Sequence, residues 1–220
     1  MDELRIEVGD DRVSALLIRP PDAKALYVFA HGAGVGMTHK SMVSNAEGLA
    51  ARGIATVRYQ FPYMEKGSKR VDPPRVAHAA VRAAVAEASR VAPDLPLFAG
   101  GRSFGGRMTS QAQAESPLPG VRGLAFLGFP LHPAGKPGIE RAAHLQQVRI
   151  PMLFVSGDRD ALAEAHLLRP VIAELGDRST LYVIRDADHP LKVRASSGRS
   201  STEAEGEALD AMAEWMIGLT

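Results

Sequence analysis

One serine of the chain has a glycine two residues before it and another two residues after it. The segment is Gly101-Arg-Ser103-Phe-Gly105, and it lies between an apolar run and a helix-like stretch. A serine on a sharp strand-to-helix turn projects its hydroxyl, and both flanking positions need glycine because larger side chains would collide there. The spacing therefore predicts that Ser103 is a nucleophile and that the N–H of Phe104 faces the oxyanion formed beside it. The competing interpretation of these five residues is an ordinary glycine-rich turn.

A glycine-rich loop after an earlier apolar run offers further oxyanion donors. The loop is His31-Gly-Ala-Gly34, and backbone N–H groups of such a loop can stabilise a developing negative charge. We expect Ala33 to be the donor and Gly32 to lie beside the substrate, whereas the histidine of the loop is expected to be structural. The alternative is a dinucleotide-binding turn. However, Gly32-Ala-Gly-Val-Gly36 lacks the G-x-G-x-x-G spacing, and the next strand ends in Arg58-Tyr59 instead of an acid.

Candidates for an acid and a base follow two later apolar runs. Gly157-Asp-Arg-Asp160 holds two carboxylates. Either could orient an imidazole and stabilise its cation, unless both only cap the next helix. Asp188-His189-Pro190 follows the last apolar run, and His189 is the only one of the seven histidines in such a position. A serine, an acid and a histidine placed in this way are the components of nucleophilic acyl transfer.

Short apolar runs alternate with longer helix-like stretches, and this alternation predicts the elements that position those groups. The predicted strands are Leu4–Val8 and Val13–Arg19, which form a hairpin, followed by Ala25–Ala30, Ile54–Arg58, Leu95–Ala99, Leu124–Leu127, Met152–Val155 and Leu181–Ile184. Predicted helices cover residues 40–52, 73–91, 103–115 and 161–175, and a last helix begins at a capping box of Thr202 and Glu205 and reaches Leu219. The fold class is therefore α/β, with a mostly parallel central sheet, an N-terminal antiparallel hairpin and helices on both faces. The loops that carry the chemistry then meet at one edge of the sheet.

The composition limits the class of protein further. A length of 220 residues predicts a single domain over 1–220. The 26 basic and 25 acidic residues nearly balance, so neither a nucleic acid nor a membrane surface is expected as a partner. There is no cysteine, no H-E-x-x-H motif and no other ligand-spaced cluster, and we therefore expect no metal and no cofactor. The charged first residues and the lack of a long apolar run predict a cytoplasmic protein, and the oligomeric state stays open.

Several of these segments together resemble a known superfamily over nearly the whole chain. They are His31–Gly34, Arg58–Glu65 with Lys69–Asp72, Gly100–Gly106, Gly157–Asp160 and Asp188-His189. With them the chain resembles the α/β-hydrolase superfamily, in the small branch without a separate cap domain that includes dienelactone-hydrolase-like enzymes. More narrowly, it resembles hydrolase-like proteins related to a testis-expressed protein and to a subunit of the non-specific lethal chromatin complex.

The resemblance implies a fold and a role for each candidate residue. It implies an α/β-hydrolase fold without a large cap domain, in which Ser103 is the nucleophile and His189 the base. Asp160 is the orienting acid instead of Asp158, because the family usually places the acid at the fourth position of the Gly-x-x-Asp turn. Some relatives of the narrower family act as scaffolds, so the alternative function is a non-catalytic binding protein with the same fold.

The expected activity is two-step hydrolysis of a small, soluble ester or thioester through an acyl-enzyme. Four residues are expected to line an apolar acyl pocket, unless they fill the core: Phe61, Tyr63, Phe129 and Leu131. The segment between the strands near 127 and 152 is too short for a large lid. Basic residues in the surrounding loops could steer anionic esters or simply form a solvated rim. A nucleotide-dependent oxidoreductase that uses the Gly32 loop is the weakest alternative.

Overall fold

An eight-stranded sheet forms the centre of the computed structural model, which describes residues 1–220. The strands are β1 (Asp2–Val8), β2 (Asp11–Ile18), β3 (Ala25–Ala30), β4 (Ile54–Tyr59), β5 (Leu97–Arg102), β6 (Val121–Leu127), β7 (Met152–Gly157) and β8 (Ser179–Ile184). Their order across the sheet is β1-β2-β4-β3-β5-β6-β7-β8. The β1–β2 and β2–β4 pairs are antiparallel, and every other pair is parallel. The predicted α/β class with an antiparallel N-terminal hairpin is confirmed.

Helices cover both faces of this sheet. The α-helices are α1 (Lys40–Ala50), α2 (Pro62–Glu65), α3 (Pro74–Val91), α4 (Phe104–Glu115), α5 (Ala165–Leu175) and α6 (Ser201–Gly218), and short 3-10 helices span Glu140–Gln147, Gly176–Arg178 and Ala195–Ser197. Buried side chains of α1 and α6 pack against one face. Those of α3, α4 and α5 pack against the other. Because both faces are covered, all six residues of β3 are buried.

The sequence of α3 explains how closely this helix approaches the sheet. Its buried positions follow a three- and four-residue spacing, as expected for one face of an amphipathic helix. Most of them are alanines, namely Ala77, Ala80, Ala84 and Ala88. Small side chains at these positions allow a helix to pack close to the strands, and Val81 and Val85 complete the buried face.

Several predicted element boundaries differ from the structure; for example, β6 begins at Val121, three residues earlier than predicted. The strand β5 begins at Leu97, two residues later than predicted, and includes two glycines before its end. The helix α5 begins at Ala165 instead of 161, because the residues between it and β7 form a turn. The capping box of α6 is formed by Ser200 and Glu203, two residues before the predicted pair. Ser200 has the extended backbone conformation that an N-cap requires, with φ −88° and ψ 157°.

The strand order brings the functional loops together. Strands β3, β5, β6, β7 and β8 are consecutive in the sheet and parallel to one another. The loops at their carboxyl ends therefore meet at a single edge, where ligands bind in open α/β sheets. These loops carry the serine, the acid, the histidine and the glycine-rich segment identified in the sequence.

Candidate active site

The turn between β5 and α4 holds Ser103 in a strained backbone conformation. Its φ of +49° and ψ of −113° lie outside the regions that a non-glycine residue ordinarily occupies. Such strain costs about 1–3 kcal/mol and persists only where the surrounding structure fixes it. Here the N–H of Ser103 donates a hydrogen bond of 3.1 Å to the carbonyl of Leu127 at the end of β6. The conformation projects the side chain beyond the sheet edge, as a nucleophile elbow requires.

The glycines on either side of Ser103 are needed because the turn packs directly against the end of β3. A Cβ added at Gly101 would lie 2.4 Å from the carbonyl oxygen of Ala30. A Cβ added at Gly105 would lie 2.6 Å from the carbonyl oxygens of Ala30 and His31. Each distance is shorter than any real contact of a Cβ with backbone. The sequence motif therefore reflects close backbone approach and is not an incidental glycine-rich turn.

Three side chains form a hydrogen-bonded series above this turn. The Ser103 Oγ atom lies 2.9 Å from His189 Nε2. On the other side of the ring, Nδ1 lies 2.8 Å from Oδ2 and 3.0 Å from Oδ1 of Asp160. Since a carboxylate accepts hydrogen bonds, it fixes the proton on Nδ1 and leaves Nε2 free to take a proton from the hydroxyl. The imidazole is 22% exposed, so a substrate can reach it from solvent.

Asp160, and not Asp158, faces the histidine. Asp160 is buried at the end of the loop after β7, and its Oδ1 also accepts a 2.8 Å hydrogen bond from the N–H of Leu162. Asp158 is exposed and forms no side-chain hydrogen bond. A carboxylate that is dry and fixed by a second donor can hold an imidazole in one orientation, whereas a solvated one cannot.

Two residues that the sequence analysis missed fix the position of His189. Gly128 follows β6, and a Cβ added there would lie 2.9 Å from the His189 carbonyl oxygen and 3.3 Å from Nδ1 of its ring. On the opposite side, Arg102 Nη2 donates a hydrogen bond of 2.6 Å to the carbonyl of Pro190. Gly128 gives no sequence signal beyond a glycine at a strand end. Arg102 lies within the motif around Ser103, but nothing in the sequence except its being an arginine indicates that it contacts the loop of His189.

The two expected oxyanion donors lie on either side of the serine. Phe104 is the first residue of α4, and the first N–H groups of a helix have no acceptor within it. The loop with Ala33 lies against the elbow, since a Cβ added at Gly32 would be 3.8 Å from Ser103 Cβ. Ala33 itself is exposed, and its N–H forms no hydrogen bond within the chain. Both segments therefore lie next to Ser103, and the N–H of Ala33 has no partner within the chain.

Buried polar side chains fix the conformation of the loop that contains Ala33. His31 is buried, its Nε2 accepts a 3.0 Å hydrogen bond from the N–H of Phe61, and its Nδ1 donates to the carbonyl of Gly32 at 2.9 Å. Burial lowers the pKa of His31 to about 4, so the ring is neutral near pH 7. A neutral ring with one donor and one acceptor matches these two backbone partners. This is the structural role expected for the histidine of the loop.

The part of the same loop around Met37 is held by Arg58 and Gln60, which lie at the end of β4 and directly after it. Gln60 Oε1 accepts a hydrogen bond of 2.8 Å from the N–H of Met37. Arg58 Nη1 donates a bond of 3.1 Å to the carbonyl of the same residue. Both lie in the segment Arg58–Glu65, which contributes to the family resemblance but received no role from the sequence. The structure shows that this segment fixes the loop after β3.

The four residues expected to form an acyl pocket are buried in the core. Their exposed fractions are 0% for Phe61, 3% for Tyr63, 2% for Phe129 and 0% for Leu131. Phe61 packs edge-on against the ring of Phe104, with centroids 5.2 Å apart. Phe129 likewise packs against Phe126 and Phe154, with ring centroids 5.3 and 5.6 Å apart. The alternative interpretation, in which these side chains fill the core, therefore describes the structure.

A second serine–histidine pair lies farther along α4. Ser110 Oγ is 2.7 Å from His144 Nε2, but Ser110 is buried and donates to the carbonyl of Arg107. Burial and then the nearby Arg107 charge lower the pKa of His144 to about 4. No carboxylate binds the other ring nitrogen. The pair lacks both an orienting acid and access for a substrate.

The fold and the site together define a class of protein, and comparison with known proteins agrees with that class. Residues 23–217 match the family model described as "Alpha/beta hydrolase domain". The chain belongs to this family, and family and fold together support a hydrolase. No helix of the structure is long and apolar enough to cross a membrane.

Solved structures of the same architecture cover almost the whole chain. A dienelactone hydrolase from Anabaena variabilis has a TM-score of 0.74 at 21% identity, covering 99% of this chain and 95% of that one. An α/β serine hydrolase without lid from Xanthomonas campestris has a TM-score of 0.73 at 19% identity, with coverage of 97% and 94%. Est1E from Butyrivibrio proteoclasticus, solved with ferulic acid bound, has a TM-score of 0.75 at 17% identity and covers 98% of both chains. At these identities the likeness establishes the fold alone.

Proposed function

We propose that the protein is a serine hydrolase that acts on small, soluble carboxylic esters or thioesters through a Ser103–His189–Asp160 triad. The observation that carries the proposal is the unbroken series of hydrogen bonds from the Ser103 hydroxyl through the imidazole to a buried carboxylate. Its three members come from three separate loops, and this geometry serves no evident structural purpose that would require a strained serine. The non-catalytic binding protein considered from the sequence has no comparable observation in its favour.

In the first step, Ser103 Oγ attacks the carbonyl carbon of the substrate while His189 Nε2 takes the hydroxyl proton. The tetrahedral intermediate carries a negative oxygen, which the N–H groups of Ala33 and Phe104 stabilise. One such donor is typically worth about 3–4 kcal/mol in the transition state. Asp160 stabilises the imidazolium. When the carbon–oxygen or carbon–sulfur bond breaks, the imidazolium returns its proton to the leaving alcohol or thiol, and the acyl-enzyme remains.

In the second step, water replaces the leaving group. His189 removes a proton from the water molecule, and the resulting hydroxide attacks the acyl carbon. Collapse of the second tetrahedral intermediate breaks the bond to Ser103 Oγ, which takes back the proton from the imidazolium. The carboxylic acid leaves and the free enzyme is restored. All protons in the cycle pass through one imidazole nitrogen, so the chemistry is supplied by the residues of the triad and the two backbone donors.

The loops around the site favour small substrates. Between β6 and β7 the chain forms only a short 3-10 helix, at Glu140–Gln147, apart from turns. This segment is too short to build a lid over the serine, and Ser103 and His189 are both partly exposed. An open site of this kind suits soluble acyl compounds better than an aggregated lipid phase.

We further infer that residues 1–220 form a single catalytic domain and that the protein is cytoplasmic. We also infer the narrower relationship to the testis-expressed and chromatin-complex proteins.

A fluorophosphonate probe tests the proposal directly, because it reacts only with an activated serine. We expect the probe to label Ser103 in the wild type, and we expect Ser103→Ala to lose labelling and at least roughly 10⁴-fold in ester hydrolysis. The matched control is Ser110→Ala, which removes a serine that also contacts a histidine, and it should be labelled normally. Failure of the folded wild type to react, or equal loss in both variants, would show that Ser103 is not the nucleophile.

A further inference from the structure

A polar cavity of about 310 Å³ opens between the loop that carries His189 and the beginnings of α1 and α6. Three of its lining residues are basic, namely Lys40, Arg102 and Lys192. Four more are serines or threonine at the start of the two helices, and only one lining residue is hydrophobic. We call this space the basic cavity. Eight of its ten lining residues are polar or charged and offer many hydrogen-bond donors, which suits a polar substituent.

The charges around the basic cavity do not balance. Against the three cations of its lining stand the carboxylate of Glu205 and that of the neighbouring Asp188, which also acts on Arg102, so a formal excess of one positive charge remains. Lys40, Arg102 and Lys192 form no salt bridge in the structure. The Glu205 carboxylate is itself engaged by the side-chain amide of Asn45. The excess charge is therefore free to interact with an anion that enters the cavity.

Arg102 is the most informative of the three cations because it is partly buried and hydrogen-bonded within the chain. Two of its nitrogens are engaged, one by the carbonyl of Pro190 at 2.6 Å and one by Oδ1 of Asn45 at 3.3 Å. A guanidinium has five N–H donors, so three remain. Burial lowers its pKa, which means that the surroundings disfavour the charge. The nearby carboxylates of Glu205 and Asp188 favour the charge, but neither contacts the guanidinium, and a bound anion would offset more of the cost of burial.

The basic cavity lies next to the catalytic centre. Arg102 directly precedes Ser103, and Pro190 directly follows His189, and both line the cavity. A group bound in the cavity is therefore only one residue away from the nucleophile on one side and from the base on the other. This adjacency along the chain is compatible with a substituent on the same substrate molecule whose carbonyl meets Ser103.

We propose that the basic cavity binds a phosphate group carried by the ester or thioester substrate. A phosphate monoester carries about −1.5 to −2 charges near pH 7, and the three cations of the lining would attract it. Its three terminal oxygens accept several charge-assisted hydrogen bonds, which the lysines, Arg102 and the hydroxyls can donate. A carboxylate has two oxygens instead of three and would use fewer of these donors. The inference rests on the proposed function, since it assigns another part of the substrate that Ser103 attacks.

Direct binding tests the cavity without any turnover. Inorganic phosphate is titrated calorimetrically, at low ionic strength, into the wild type and into a variant with Lys40→Ala and Lys192→Ala. The control carries Lys69→Ala and Lys136→Ala, which removes the same charge from exposed lysines outside the cavity. We expect the cavity variant to bind phosphate at least tenfold more weakly than the wild type and the control, and acetate to bind weakly to all three. Equal phosphate affinity in all three proteins, or no binding at millimolar concentrations, would overturn the proposal.

Hydrolysis then tests whether the phosphate belongs to the substrate. Two phenyl esters that differ only in a phosphate or a free hydroxyl on the acyl chain are compared. We expect the wild type and the control to favour the phosphorylated ester at least tenfold in kcat/KM, mainly through KM, and the cavity variant to lose this preference. Phosphate binding without any preference between esters would mean that free phosphate is an effector, and the substrate assignment would be wrong. If both esters are hydrolysed but phosphate does not bind, the phosphate site is refuted and the proposed hydrolase function stands. If phosphate binds but no ester is hydrolysed, the proposed function is refuted.

Discussion

The Nε2 atom of His31 accepts a 3.0 Å hydrogen bond from the backbone N–H of Phe61. This bond ties the loop after β3, which carries one oxyanion donor, to the loop after β4, which has no direct part in the chemistry. Both partners are buried, so the bond is shielded from competing water. Together with the contacts of Arg58 and Gln60 to Met37, it means that the position of the Ala33 N–H is set by the neighbouring strand.

From this relationship we predict that His31→Ala lowers kcat by roughly tenfold or more and changes KM little. The substitution frees the loop, so its N–H donors no longer meet the oxyanion in a fixed position, and misplacement affects the transition state more than the bound substrate. Steady-state kinetics on a neutral ester would show the split between kcat and KM. The control is His166→Ala, since His166 is exposed on α5. A rise in KM alone would argue against a positioning role for His31.

A pair of substitutions in one turn distinguishes the orienting acid from its neighbour. Asp160→Asn places an amide where the imidazole needs an acceptor for its Nδ1 proton, so the ring adopts the wrong tautomer. We predict a fall in kcat of roughly 10⁴-fold with the fold retained, as measured by initial rates and circular dichroism. Asp158→Asn, two residues away and exposed, should leave the rate unchanged. Similar rates in the two variants would remove Asp160 from the mechanism.

The positions of Ser103, Asp160 and His189 could be predicted because the order of the elements along the chain and the chemistry of the residues that follow them indicate the same site. Alternating apolar runs and helical stretches predict parallel strands, and the loops after such strands share one edge. The structure does bring Ser103, Asp160 and His189 into hydrogen-bonding distance at that edge. The choice between Asp158 and Asp160 did not follow from spacing, because both follow the same strand. It depends on which side chain turns inward, and only the resemblance pointed to the one that does.

Other features could not be read from the sequence, since they depend on packing across the chain. Phe61 and Phe129 follow strand ends, as pocket residues would, but tertiary packing takes them into the core. The pattern for a capping box occurs twice, at Ser200–Glu203 and at Thr202–Glu205, and the backbone at Ser200 decides between them. The contact of Gly128 with His189 joins residues far apart in the chain, and no local pattern records it.

Gly128 provides a test of how tightly the histidine must be held. A Cβ at this position would meet the His189 carbonyl at 2.9 Å, and its φ of +65° also disfavours a side chain. We predict that Gly128→Ala displaces the imidazole and lowers kcat at least tenfold, in addition to a loss of about 1–2 kcal/mol in stability from the backbone alone. Gly135→Ala is the matched control, since Gly135 has a φ of +71° with nothing within 4 Å of an added Cβ. It should lose similar stability but no activity. Chemical denaturation and ester hydrolysis measure the two effects separately, and equal activity in both variants would show that contact with Gly128 is unimportant.

The pH dependence of stability tests the pair of His132 and Glu164 beside the loop that carries Asp160. Both ring nitrogens of His132 face acceptors, the carbonyl of Pro133 at 2.9 Å and the carboxylate of Glu164 at 2.5 Å. The hydrogen bond to Pro133 and then that to Glu164 raise the pKa of His132 above its usual 6.5, and the bond to His132 lowers the pKa of Glu164 below its usual 4.5. The contribution of His132 is therefore complete below pH 6.5 and is lost as the pH rises through its raised pKa. The contribution of Glu164 to stability is complete above pH 4.5 and is lost as the pH falls through its lowered pKa.

We predict that His132→Gln lowers the Tm most between about pH 5 and 6 and least near pH 9, measured by thermal unfolding across that range. A difference in Tm that is independent of pH would mean that His132 is neutral in the folded protein.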